Sequence, residues 1–90
     1  MTVKVRFFKH FTLFTNGKEM VEVEGRSVGE CLIELVRQFP ECEHAIFKEK
    51  NVLLEYIDVF VNRENVYPDE LSKSVNNGDE IYIAYALSGG

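Results

Sequence analysis

Ser27–Pro40, SVGECLIELVRQFP, carries the strongest helical pattern in the sequence, and its reading decides the fold. Ser27 followed by Glu30 forms a capping box, in which the hydroxyl accepts from a free N–H of the first turn and the carboxylate returns to the N–H of the capping residue. Cys31, Leu32, Leu35, Val36 and Phe39 recur at helical spacing and make one apolar stripe, with Glu30, Glu34 and Arg37 outside it. Pro40 ends the run, because it has no N–H and disfavours helix in the residue before it. A helix with one apolar stripe needs a sheet to cover.

Strands lie on both sides of it. Upstream, TVKVRFF sets Val3, Val5 and Phe7 on one face and Lys4, Arg6 and Phe8 on the other, the period of a half-buried strand. KEMVEVE repeats the pattern with Met20, Val21 and Val23, and Asn16-Gly17 before it suits a turn with positive φ. These two strands are expected to form a hairpin. Its long connection holds Phe11, Leu13 and Phe14, which predicts a loop whose aromatics fold back onto the core.

Downstream, ECEHAIFKEK reads as a short helical turn or loop that carries Ile46 and Phe47 inward, and NVLLEY as a short strand. YIDVFVN alternates Ile57, Val59 and Val61 with Asp58 and Phe60, and Asn62 with RENV turns the chain into Val66 and Tyr67. NNGDE is a turn, and IYIAYAL a final strand with Ile81 and Ile83 facing one way and Tyr82 and Ala84 the other. This order predicts an α+β fold: one main helix, residues 27–39, across a mixed four- or five-stranded sheet whose first and last strands are parallel central neighbours. That layout is the β-grasp, or ubiquitin-like, architecture. Residues 1–86 are expected to form its single domain, followed by a short tail over 87–90.

Composition narrows the function. Ninety residues support one small core, and 46% apolar with 28% charged residues is the make-up of a folded chain. Fifteen acids against ten bases give a net charge of -5, which repels phosphate backbones unless bases cluster. Lys4, Arg6 and Lys9 alternate with apolar residues and Lys48 and Lys50 bracket a glutamate, so no nucleic-acid partner is expected. The opening MTVKVRFF has no secretory pattern and no apolar run reaches the ~18 residues of a membrane span, so a cytoplasmic location without membrane partners is expected. Cys31 and Cys42 lack CxxC pairing, with Cys31 read as a core residue, and His10 and His44 share no ligand spacing with them, so no metal site is expected.

Catalytic motifs are missing: no Walker loop, GxSxG, HExxH, GxGxxG or Ser, His and Asp set. The remaining feature is YALSGG, Tyr85–Gly90, two glycines after a strongly apolar strand. The SGG segment, NNGDEIYIA before it, the opening VKVRFF and the FVN strand end together resemble the MoaD/ThiS group of ubiquitin-like sulfur carriers, over essentially the whole chain. Length and the Phe7-Phe8 pair look closer to the MoaD type.

The resemblance implies a carrier and not an enzyme. The carboxyl of Gly90 is adenylated by a ubiquitin-activating-type partner that uses ATP, and a sulfur donor such as a cysteine desulfurase or rhodanese displaces AMP to leave a thiocarboxylate. No cofactor is bound by the chain itself. The implied recipient is a pterin precursor of the molybdenum or tungsten cofactor, on the large subunit of molybdopterin synthase. Thiamine, cysteine or tRNA thiolation, and conjugation as a protein modifier, are the alternatives, and a β-grasp interaction domain without carrier chemistry is the contrasting class. Gly89, with Ser88 and Leu87, would thread a narrow channel, since glycine has no Cβ and free φ and ψ. Phe60, Tyr82 and Ala84, with Phe8, are read as an apolar partner-binding patch ringed by negative charge, unless the loop carrying Phe11 and Phe14 covers Phe8.

Overall fold

A computed structural model describes residues 1–85. The elements are β1 (Thr2–Phe7), β2 (Met20–Glu24), α1 (Val28–Gln38), α2 (Glu43–Ile46), β3 (Phe47–Glu49), β4 (Val52–Leu53), β5 (Ile57–Val61), β6 (Glu64–Asn65) and β7 (Glu80–Tyr85), with 3₁₀ turns at Lys9–Phe14, Pro40–Cys42 and Glu70–Ser72.

Alternation puts Val3, Val5 and Phe7 of β1, Val21 and Val23 of β2, Ile57, Val59 and Val61 of β5, and Ile81 and Ile83 of β7 on one buried face. The sheet order is β2-β1-β7-β5-β6. β1 and β7 are parallel and central, while β2 and β5 flank them antiparallel, so the chain is a mixed five-stranded β-grasp. A separate ribbon of β3 and β4 pairs Phe47 with Leu53.

Helix α1 buries Val28, Cys31, Leu32 and Leu35 against that face, and Val36 and Phe39 pack at its margin. The Ser27 cap forms as expected, its Oγ accepting from Glu30 N–H at 3.1 Å. The reciprocal bond departs from the expected box: the Glu30 carboxylate accepts from the N–H of Arg26, one residue before the cap, at 2.9 Å. The helix start is also stitched to the segment before β7, with Val28 N–H donating to Lys73 at 2.9 Å and Val75 N–H to Arg26 at 3.0 Å. There the main chain approaches closely: a Cβ on Gly29 would lie 2.9 Å from the Leu71 carbonyl oxygen.

The β1–β2 connection folds back as expected. Phe11 is fully buried, stacked on Phe7 with centroids 4.8 Å apart and edge-on to Phe14 at 5.4 Å. Leu13, between the aromatics, faces solvent at 78% exposure. Thr15 is buried, and its hydroxyl donates to the Lys18 carbonyl at 2.7 Å. Ile46 and Phe47 point inward as read from the sequence. Cys31 and Cys42 are free, wholly buried thiols, each pushed up to about 11 by desolvation, which makes both core residues and poor nucleophiles.

Candidate functional site

The strand that carries the chain toward its glycines is the middle of the sheet. β7 is hydrogen-bonded on both sides, to β1 over Glu80–Ile83 and to β5 over Ile81–Tyr85. Turn chemistry sets its start. Gly78 adopts φ 89°, Asn76 N–H donates to Asp79 at 2.8 Å, and Asn62, itself at φ 50°, bridges Asp79 at 3.0 Å and the Glu80 N–H at 3.0 Å. Those donors, the Asn76 N–H above all, hold the Asp79 carboxyl below its usual range.

On the sheet face away from the helix, register aligns Arg6 of β1, Tyr82 of β7 and Phe60 of β5 in one row. The Phe60 and Tyr82 rings meet at 6.4 Å, tilted by 56°, and with Arg63 and Glu80 they line a shallow hollow. Both rings are half-buried, which leaves an apolar surface with polar edges. Ala84 follows one pleat along, opposite Asp58. The rim is not uniformly acidic as expected from net charge: Arg6 pairs with Glu80 at 3.3 Å, and Arg63 adds a second cation.

Phe8 is placed elsewhere. The chain leaves β1 at Phe7, and the Phe8 ring turns toward the end of β7, 4.3 Å from Tyr85 and 5.7 Å from Phe11. Tyr56 closes on the other side of Tyr85 at 5.2 Å. This aromatic trio at the last described residue of β7 was missed in reading the sequence. One signal was available: Tyr85 continues the inward alternation of Ile81 and Ile83. Desolvation, with Tyr56 nearby, raises the Tyr85 phenol above its ordinary range. Gly90, Gly89, Ser88 and Leu87 lie outside the described residues.

Among the described residues no three His, Cys, Asp or Glu side chains converge as metal ligands, and no helix is long and apolar enough to cross a membrane.

Residues 5–90 match the model of the ThiS family. The chain belongs to the ThiS family. Its fold is that of the ThiS/MoaD ubiquitin-like sulfur carriers, and solved structures share it. Small archaeal modifier protein 1 from Haloferax volcanii superposes with a TM-score of 0.84 at 26% identity over the whole of both chains. A chain of the BexX/CysO complex from Amycolatopsis orientalis gives 0.86 at 29%, over 98% of this ThiS-family chain and 99% of that one. A chain from the complex of subunits 1 and 2 of the molybdopterin-converting factor of Helicobacter pylori shares the fold at a TM-score of 0.65 and 20% identity, over the whole of both chains. No curated protein matches the sequence.

Proposed function

We propose that this ThiS-family protein is a sulfur carrier whose working atom is the carboxyl carbon of Gly90. The observation that carries the reading is the family match itself, which runs from β1 through β7 and on to residue 90. A free carboxylate is a poor electrophile. Attack of its oxygen on the α-phosphorus of ATP, on a separate adenylating enzyme, releases pyrophosphate and leaves an acyl adenylate. Hydrosulfide then adds at the carbonyl carbon and expels AMP, leaving a thiocarboxylate.

Threading Leu87, Ser88, Gly89 and Gly90 into such an enzyme orders each residue at about 1–2 kcal/mol of backbone entropy. Docking of the globular body must offset that cost, and the Phe60–Tyr82 face, with Ala84 beside it, is the surface we assign to docking. Phe8 contributes by bracing Tyr85 at the root of the tail. The acceptor we assign is a pterin precursor, delivered on a molybdopterin synthase large subunit, and the fold shared with the Helicobacter pylori subunit complex supports it. Likeness at 26% and 29% to an archaeal modifier protein and to a BexX/CysO complex chain favours a second reading, in which the same activated end serves protein conjugation or a different sulfur acceptor.

Intact-mass analysis tests the carrier chemistry. With the cognate adenylating enzyme, ATP and a sulfide source, the chain gains the mass difference of one sulfur for one oxygen, and a variant lacking Gly90 gains nothing. No gain with an adenylating enzyme that exchanges pyrophosphate into ATP would reject the proposal. Pull-down with the wild-type chain separates the acceptors: recovery of a synthase large subunit supports the first, and a ladder of larger conjugates the second.

A further inference from the structure

We infer that the free edge of β2 is a second docking site, which accepts an extended, basic segment of a partner protein as an added strand. The inference rests on the fold and is independent of the chemistry at Gly90. β2 closes the sheet on one side. Its pairing with β1 is phased by the Phe7 N–H to Glu19 carbonyl bond and the Gly25 N–H to Met1 carbonyl bond, so Val21 and Val23 direct their main-chain groups at β1. Met20, Glu22 and Glu24 direct theirs outward. Among the described residues nothing hydrogen-bonds to the main chain of these three.

An open ladder of this kind is a template for another strand, and side-chain charge decides which strand. Glu19–Glu24, EMVEVE, holds three carboxylates and no cation, and Glu19, Glu22 and Glu24 are all exposed. Of these, Glu24 already holds the N-terminal ammonium at 3.0 Å, while among the described residues no cation lies within ion-pair distance of Glu19 or Glu22. Antiparallel pairing with a second copy centred on Glu22 would set two Glu22 carboxylates opposite each other, and like charges in that position are destabilising. The inner neighbour displays what fits: β1 places Lys4 opposite Glu22, and Thr2 opposite Glu24 with its hydroxyl donating to Glu24 Oε2 at 2.7 Å. A strand with Lys or Arg at every second position repeats that match from the open side, with half-buried Met20 as its apolar neighbour.

The test uses the full chain, labelled with nitrogen-15, and the synthetic peptide acetyl-Thr-Lys-Val-Lys-Val-Lys-amide. Added strand pairing slows hydrogen exchange at the amides of Met20, Glu22 and Glu24 and leaves Val21 and Val23, already bonded to β1, unchanged. The double variant Glu22→Lys, Glu24→Lys binds this peptide about tenfold more weakly, since reversing two cross-strand charge pairs changes attraction into repulsion. It gains binding to acetyl-Thr-Glu-Val-Glu-Val-Glu-amide. Both positions are exposed, and dispersed amide spectra verify that the variant folds. Absence of binding, protection without the odd-even alternation, shifts spread over all surface carboxylates, or a β2-paired dimer of the free chain would each overturn the inference. Should the variant fail to fold, the alternation in the wild-type chain decides alone.

Discussion

Gly29 sets two effects of opposite sign against each other. It occupies the first turn of α1, where glycine is a weak helix former, and replacing it with alanine raises helix propensity by up to about 1 kcal/mol. The new Cβ, however, would stand 2.9 Å from the carbonyl oxygen of Leu71 and 3.5 Å from its Cβ. The first contact is with main chain, held in the Glu70–Ser72 turn, and cannot rotate away as a side-chain tip can. Forcing one extra carbon into a packed contact costs about 1–3 kcal/mol. The clash wins, and Gly29→Ala should lose about 1 kcal/mol net. For a domain of this length each kcal/mol is roughly 4–8 °C in Tm, so the midpoint should fall by about that much. Circular dichroism melts and urea unfolding of the variant beside the wild type measure it. An unchanged or raised midpoint would mean that propensity governs, and that α1 does not approach the Leu71 turn as closely as described.

Loss of the helix cap in Ser27→Ala should cost about 1 kcal/mol by the same urea assay, because the Glu30 N–H loses its partner. Phe60→Ala and Tyr82→Ala should each weaken binding to the adenylating enzyme at least tenfold, as truncation of central aromatics does at about 2 kcal/mol or more, while the melting midpoint moves little; calorimetric titration against that enzyme reads it. Asp79 gives a pH dependence of known sign. Its folded pKa is lowered, chiefly by the Asn76 N–H and then by Asn62, so its contribution is complete above the ordinary carboxylate value and disappears as pH falls through the depressed one. Asp79→Asn should therefore be less stable than wild type at neutral pH and approach it in strong acid, and a stability gap that ignores pH would refute the assignment.

Period carried the sequence reading where burial has one side. In Val3, Val5, Phe7 and in Ile57, Val59, Val61, every second residue meets the helix and the intervening ones meet water, so alternation alone gives face and register. The Ser27 cap was legible for a similar reason, since its geometry is local. The Glu30 carboxylate was harder: the capping-box pattern names the N–H of Ser27, and the carboxylate accepts instead from the N–H of Arg26. Phe8 shows the limit of period. Alternation assigns it to the outer face, but the strand stops at Phe7 and the ring is then governed by contact with Tyr85, far along the chain, and with Phe11, three residues on. For Cys42 an irregular segment has no period to read, and it is the Pro40–Cys42 turn that buries it, with its sulfur 3.7 Å from the Phe14 carbonyl.

The placement of β7 connects this fold to the proposed chemistry. A strand at a sheet edge is held by one ladder and can peel away; β7 is held by two, one to β1 and one to β5, with Ile81 and Ile83 fully buried beneath α1. Residues Ile81, Tyr82 and Ile83 can leave the sheet only by breaking both ladders, whereas Ala84 and Tyr85 are paired to β5 alone. The trio of Phe8, Tyr85 and Tyr56 adds aromatic packing at the point where the described chain ends. In the proposed reaction, an adenylating enzyme that grips the residues beyond Tyr85 would pull on a strand anchored by two ladders as far as Ile83, and binding energy spent there would not be dissipated in unravelling the body. The outer face of that same strand carries Tyr82, so the proposed docking surface and the last described residue belong to one element, and their separation is set by the 3.2–3.4 Å rise per residue of a β-strand.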